Sequence, residues 1–132
     1  MDDSEDTGML SPYRVLDLTD ARGLLCSKIL ADLGADVIQI EPPSGNTARR
    51  VGPFLNDEVH PERSLYWWAY AANKRSITLD IKAPDGQLLL KRLAKTADFL
   101  IESAAPGELA GLGLGYDDLS TLNAGLIYVS IT

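Results

Sequence analysis

The sequence predicts an α/β fold, a mostly parallel β-sheet with flanking helices, on three observations. Short apolar runs, "YRVLDL", "DVIQIE", "FLIES" and "LIYVSIT", are separated by longer stretches with apolar residues at helical spacing. A further run, "ANKRSITLDIK", alternates Ile77, Leu79 and Ile81 with Thr78, Asp80 and Lys82, the period of a strand with one apolar face. Strand and helix patterns take turns along the chain, which favours parallel neighbours joined by right-handed crossovers.

Each element follows from local chemistry. Tyr13–Leu18 reads as a buried strand. The helix after it, "RGLLCSKILADLG", spaces Leu25, Ile29, Leu30 and Leu33 along one face and stops at Gly34. Asp36–Glu41 is a second strand, and residues 42–62, with four prolines and two glycines, read as a long loop. "ERSLYWWAYAANK" is an aromatic-rich helix leading into the "SITLDIK" strand. Pro84 suits a first helical position, and Leu89, Leu90, Leu93, Ala94 and Ala97 give that helix its apolar face. Phe99–Ser103 is a fourth strand, "GLGLGY" reads as turn chemistry between two short helical turns, and "LIYVSIT" is a fifth strand.

Composition narrows the function classes. At 132 residues with 45% hydrophobic and 23% charged residues, the chain is an ordinary globular one with room for a real core. A net charge of −7 disfavours nucleic acid and anionic membrane surfaces, which call for a dominant basic field. A single cysteine, Cys26, suits a reducing compartment such as the cytoplasm and is expected to be a buried, inert thiol. Asp2, Asp3, Glu5 and Asp6 mark residues 1–12 as a disordered acidic tail, leaving 13–132 as the folded part. A parallel sheet needs cover on both faces, so a chain ending on a hydrophobic strand reads as a fragment of a longer one.

Candidate sites divide between plain and functional readings. The first strand, turn and helix, followed by a strand ending in Glu41, imitate a dinucleotide-binding unit, but the turn "TDARGLL" offers only Gly23 where three small residues are needed. A structural unit is the better reading. His60 has no second ligand at metal-binding spacing, and Tyr66, Trp67, Trp68 and Tyr70 read as core and interface packing. Lys74 and Arg75 follow a helix, where positive charge complements the C-terminal dipole. Lys82, on a strand's polar face, is either solvated or a phosphate partner.

Taken together, "VLDLT", "LADLGADVIQIEPPSG", "NKRSITLDIKAPDG", "ADFLIES" and "LGLGYDDLSTLNAGLIYVSIT" resemble the N-terminal part of the class III CoA-transferases, the family of formyl-CoA transferase, carnitine CoA-transferase and α-methylacyl-CoA racemase. The resemblance covers about Tyr13 to Thr132, with the blocks in family order. It implies a Rossmann-like domain, truncated here before the catalytic aspartate, in a protein whose two chains interlock as a homodimer. It implies coenzyme A as a substrate, a carboxylic acid as the other, and no metal or redox cofactor. The family's aspartate, which carries the acyl group as a mixed anhydride, corresponds to no residue of this chain, so no catalytic residue is assigned.

Carried over residue by residue, the resemblance places CoA against Leu79, Asp80, Ile81 and Lys82 at one strand end, and against Arg22 at the first turn. Ser103, Ala104 and Ala105 stand where relatives have an asparagine–aromatic pair and its neighbour. Pro42 stands where relatives often have arginine, and Gly111 and Leu112 where some use arginine and methionine. Asn73, Lys74, Arg75 and Ser76 match the signature preceding the strand. The expected activity is CoA transfer between an acyl-CoA and a carboxylic acid. Racemisation of a 2-methylacyl-CoA, a non-catalytic CoA-binding or scaffolding role in a longer fused protein, and a nicotinamide-binding domain are the alternatives.

Overall fold

The structure is a computed structural model and describes residues 8–132. The four acidic residues of the expected tail lie outside the described residues. Residues 8–12, assigned to the same tail, form turns against the end of the first helix, where the Leu10 N–H donates to the Leu33 carbonyl at 2.9 Å.

Five strands, β1 (Arg14–Leu18), β2 (Asp36–Glu41), β3 (Arg75–Thr78), β4 (Phe99–Glu102) and β5 (Ile127–Ser130), form one sheet in the order β3-β2-β1-β4-β5. Every pairing is parallel. The helices are α1 (Leu24–Asp32), α2 (Leu65–Ala71), α3 (Pro84–Ala94), α4 (Glu108–Gly111) and α5 (Tyr116–Ser120). Strand side chains alternate between two cores, as the pleat demands. Leu16, Ile38, Ile40 and Leu100 join Leu90 and Ala94 of α3, while Val15, Val37 and Ile101 join Ala31 of α1.

Several elements differ from their sequence reading. In α1 the buried residues are Leu24, Ser27 and Ala31, while Leu25, Ile29 and Leu33 are 54%, 50% and 41% exposed. Both stripes share the helical period. The sheet takes the one with small residues, because Ser27 and Ala31 let the helix lie close. Cys26 is consequently exposed, not buried. In α3, Leu90 and Ala94 are buried and Ala97 beyond it is too, but Leu89 faces out.

The strand expected to run through Lys82 stops at Thr78. The Asp80 carboxylate accepts the Lys82 N–H at 3.0 Å and the Asp80 carbonyl accepts the Ala83 N–H at 3.2 Å, which closes a turn before Pro84 opens α3. Leu79 and Ile81 keep their alternation inside that turn and still pack on the α3-side core.

The long loop is more organised than its composition suggests. Two short 3₁₀ turns, Thr47–Arg50 and Leu55–Asp57, and a bridge between Phe54 and Ser64 fold it back on the sheet. Ser64 caps α2 by accepting the Trp67 N–H at 3.1 Å. Trp67 is buried with Leu24 and Ala48, and the Tyr66 and Tyr70 rings meet at a tilt of 49° with centroids 4.7 Å apart.

Candidate functional site

The strand order reverses between β1 and β4, and the chain leaves these two strands in opposite directions around the sheet. A doubly wound sheet opens a crevice at that point, outside the C-terminal strand ends. Here it has a volume of about 720 Å³. Its lining includes all of Arg22, Leu79, Asp80, Ile81, Lys82, Ser103, Ala104 and Ala105, the residues singled out in the sequence. Residues 60 or more positions apart in sequence thus meet around one space. Pro42 also lines it, whereas Gly111 and Leu112 do not.

The first turn and the fourth strand are clasped together across this crevice. The Asp20 N–H donates to Ser103 Oγ at 2.9 Å, and Ser103 Oγ donates back to Asp20 Oδ1 at 3.1 Å. Arg22 forks onto the Asp20 carboxylate, with Nε and Nη2 at 3.0 and 2.9 Å, and Nη2 also donates to the Ser103 carbonyl. The Arg22 guanidinium and the Ser103 hydroxyl hold the Asp20 carboxyl below its ordinary range. The arginine side chain remains 62% exposed at the crevice mouth.

The opposite wall is the Leu79–Lys82 turn. Lys82 is exposed and takes part in no salt bridge among the described residues. Its ammonium and the outer face of Arg22 are the positive charge of the crevice. The carboxylates around it are already engaged: Glu102 accepts the Ala104 N–H at 2.7 Å, Glu108 accepts the Ala105 N–H at 3.3 Å, and Asp80 closes its own turn.

Glu41 is the most heavily engaged. Arg49 donates to it through Nε at 2.6 Å and Nη2 at 2.8 Å, Asn46 N–H donates at 2.9 Å, and the Ser76 hydroxyl makes a further bond. Burial alone would raise its pKa, but these donors outweigh it and hold Glu41 at about 2. The same guanidinium lies 4.3 Å from the centroid of Trp67. Glu41 therefore fastens the 42–62 loop to β2 and has no lone pair left for a ribose.

The neighbouring cations are structural. Arg75 forks onto Asp36 at 2.9 and 2.8 Å, and Arg14 shares that carboxylate at 3.0 Å. Lys74 departs from the expectation that it complements a helix end. Its side chain is only 1% exposed, and its ammonium donates to Asp17 Oδ2 at 3.1 Å, the Leu24 carbonyl at 2.9 Å and Gln39 Oε1 at 3.3 Å. Sequence reasoning missed Asp17 and Gln39. The available signal was a polar residue at matching places in two otherwise apolar strands, "RVLDL" and "DVIQIE", which the register sets side by side.

An all-parallel, doubly wound sheet with a crevice at its switch point places the protein in the doubly wound α/β class. The model of CoA-transferase family III matches residues 10–132, and the chain belongs to that family. It is 42% identical over 122 residues to the BbsE subunit of succinyl-CoA:(R)-benzylsuccinate CoA-transferase from Thauera aromatica, covering 92% of this chain and 30% of that one. It is 39% identical to human succinyl-CoA:glutarate CoA-transferase, covering 93% and 28% of the two chains. Among solved structures, a CAIB/BAIF family protein from Brucella suis superposes with a TM-score of 0.87 at 40% identity, over 96% of this chain and 34% of that one. The chain thus spans about 30% of the length of the curated relatives it matches.

Proposed function

We propose that this chain is the CoA-binding part of a CoA-transferase that moves CoA between an acyl-CoA and a carboxylic acid. The observation that carries the reading is the switch-point crevice, where Arg22 and Lys82 face a space large enough for a nucleotide. Phosphates would lie toward Lys82, and the first turn and the Ser103–Ala105 segment would flank the nucleotide.

In the proposed chemistry a carboxylate attacks the thioester carbonyl and the CoA thiolate leaves, giving a mixed anhydride. The thiolate then attacks the enzyme-side carbonyl of the anhydride, releasing the first acid and leaving an enzyme thioester. The second acid displaces the thiolate from it to form a new anhydride. The thiolate attacks that acid's carbonyl to give the new acyl-CoA and the free enzyme carboxylate. Each carboxylate lining the crevice accepts at least one protein donor. By the family resemblance, the nucleophile of this reading is an aspartate that none of these 132 residues matches, in a whole protein read as a cytoplasmic homodimer. The exposed stripe of Leu25, Ile29 and Leu33 is consistent with such a partner.

Calorimetric titration of CoA into this chain tests the binding half, and exchange of labelled CoA from succinyl-CoA into a panel of acids tests the chemistry on its parent. Saturable binding and exchange are expected. A folded protein that neither binds CoA nor exchanges it overturns the reading. Binding without exchange favours the non-catalytic alternative, for which Pro42 in the crevice wall, unable to offer a cation, is the motivating observation. Solvent deuterium entering the α-carbon of a 2-methylacyl-CoA would make the parent a racemase.

A further inference from the structure

The first turn, which brings Asp20 and Arg22 to the crevice, is held from below by buried polar groups. Asp17 is fully buried on the α1 face of β1. Its Oδ1 accepts both the N–H of Thr19, at 2.8 Å, and the Thr19 hydroxyl, at 2.6 Å. Its Oδ2 accepts Ser27 Oγ and the Lys74 ammonium. The Thr19 carbonyl accepts from Gln39 Nε2 at 3.3 Å and Asn46 Nδ2 at 2.8 Å. All three polar groups of Thr19 are thereby fixed, one residue before Asp20. Lys74 connects the arrangement, because its three donors reach β1, β2 and the first residue of α1 at once.

A buried ion pair is an inefficient way to stabilise a core, since well-packed apolar residues of similar volume do as well or better. Its use here therefore asks for another reason. The pair sits behind the first turn, on the α1 face of the sheet, where an apolar substitute for Asp17 would leave the Thr19 N–H and hydroxyl without their acceptor.

We propose that Lys74 is a positioning residue for the CoA crevice. Through Asp17 and Thr19 it fixes the turn that aims Arg22 across the β1–β4 switch point. The proposal rests on the CoA-binding reading above. It assigns Lys74 no contact with the ligand.

The test is a double-mutant cycle on CoA affinity, measured by calorimetry. Asp17→Leu with Lys74→Met removes both charges together with the Thr19 acceptor, so no buried charge is orphaned. The pair variant is expected to fold and to bind CoA about tenfold more weakly, the scale of a lost charge-assisted contact. Arg22→Ala should weaken binding about tenfold in the native background and less than about twofold in the pair background, because the arginine is no longer aimed. Unchanged affinity in the pair variant overturns the proposal, as does an Arg22→Ala loss that is the same in both backgrounds, the mark of a merely structural role. Should the pair variant not fold, Thr19→Val, which cuts the link at one hydroxyl, takes its place in the same cycle under the same criteria.

Amide hydrogen exchange at Thr19 and Asp20 keeps the two readings apart. If the native chain binds no CoA, the functional reading fails, and the positioning claim is decided by exchange alone. Acceleration of tenfold or more at those two amides in the variant, with β4 unchanged, supports it. No acceleration overturns it.

Discussion

A Cβ added at Gly86 would stand 1.8 Å from the carbonyl oxygen of Asp80. The first turn of α3 thus lies directly on the Leu79–Lys82 turn that walls the crevice, and only a residue without a side chain allows the approach. Gly86→Ala should therefore destabilise the protein, although helix propensity alone favours alanine by about 1 kcal/mol. The clash is with backbone, which cannot rotate away, so a loss of about 3 kcal/mol is expected. Urea unfolding checks the sign. A stabilised variant would mean that α3 shifts freely from the turn.

The Glu41–Arg49 pair makes stability depend on pH in a defined window. Folding lowers the Glu41 pKa from 4.5 to about 2. Its contribution is then fully present above about pH 4.5 and is lost as the pH falls toward 2. A shift of that size corresponds to about 3 kcal/mol. Glu41→Gln should be less stable than the native protein at pH 7, with the gap narrowing steadily between pH 4.5 and 2. Unfolding curves at several pH values measure this, and a gap independent of pH would show that the carboxylate's charge is not what holds the loop.

Most of the fold was legible because a buried parallel sheet writes itself as short apolar runs. The α1 face was not, since Leu25, Ile29 and Leu33 have the same period as Leu24, Ser27 and Ala31 and periodicity does not say which stripe meets the sheet. The strand end at Thr78 was hidden for a related reason. Leu79 and Ile81 go on alternating inside a turn that Asp80 creates through its side chain. The crevice residues were found by resemblance, but the arrangement beneath them was not. Its members, Asp17, Gln39 and Lys74, come from three separate segments that only the strand register brings together.

Lys74 also carries a stability prediction that separates it from a helix-end cation. Such a cation would contribute a few tenths to about 1 kcal/mol. Lys74→Met alone leaves the buried Asp17 carboxylate without its counter-charge, which typically costs about 3–5 kcal/mol. Chemical denaturation of the single variant distinguishes these scales. A loss below about 1 kcal/mol would put Lys74 back on the scale of a helix-end cation.

Lys82 is expected to behave in the opposite way. It is exposed, joins no salt bridge among the described residues, and sits on the crevice wall at the start of α3. Removing its side chain takes away little packing, so Lys82→Ala should leave the melting temperature nearly unchanged. If the ammonium meets a CoA phosphate, the contact is charge-assisted and worth on the order of 1.5 kcal/mol at a partly shielded site. That corresponds to roughly a tenfold weakening of CoA binding. The contact should also be sensitive to salt, because an exposed pair is screened as the Debye length falls to about 3 Å near 1 M. Raising the salt should therefore weaken CoA binding more in the native protein than in Lys82→Ala, and the two affinities should converge. Calorimetric titrations of both proteins at low and high salt give all four values. Equal affinities at low salt would mean that Lys82 is simply a solvated residue and that the phosphates, if CoA binds here, are held from the Arg22 side of the crevice.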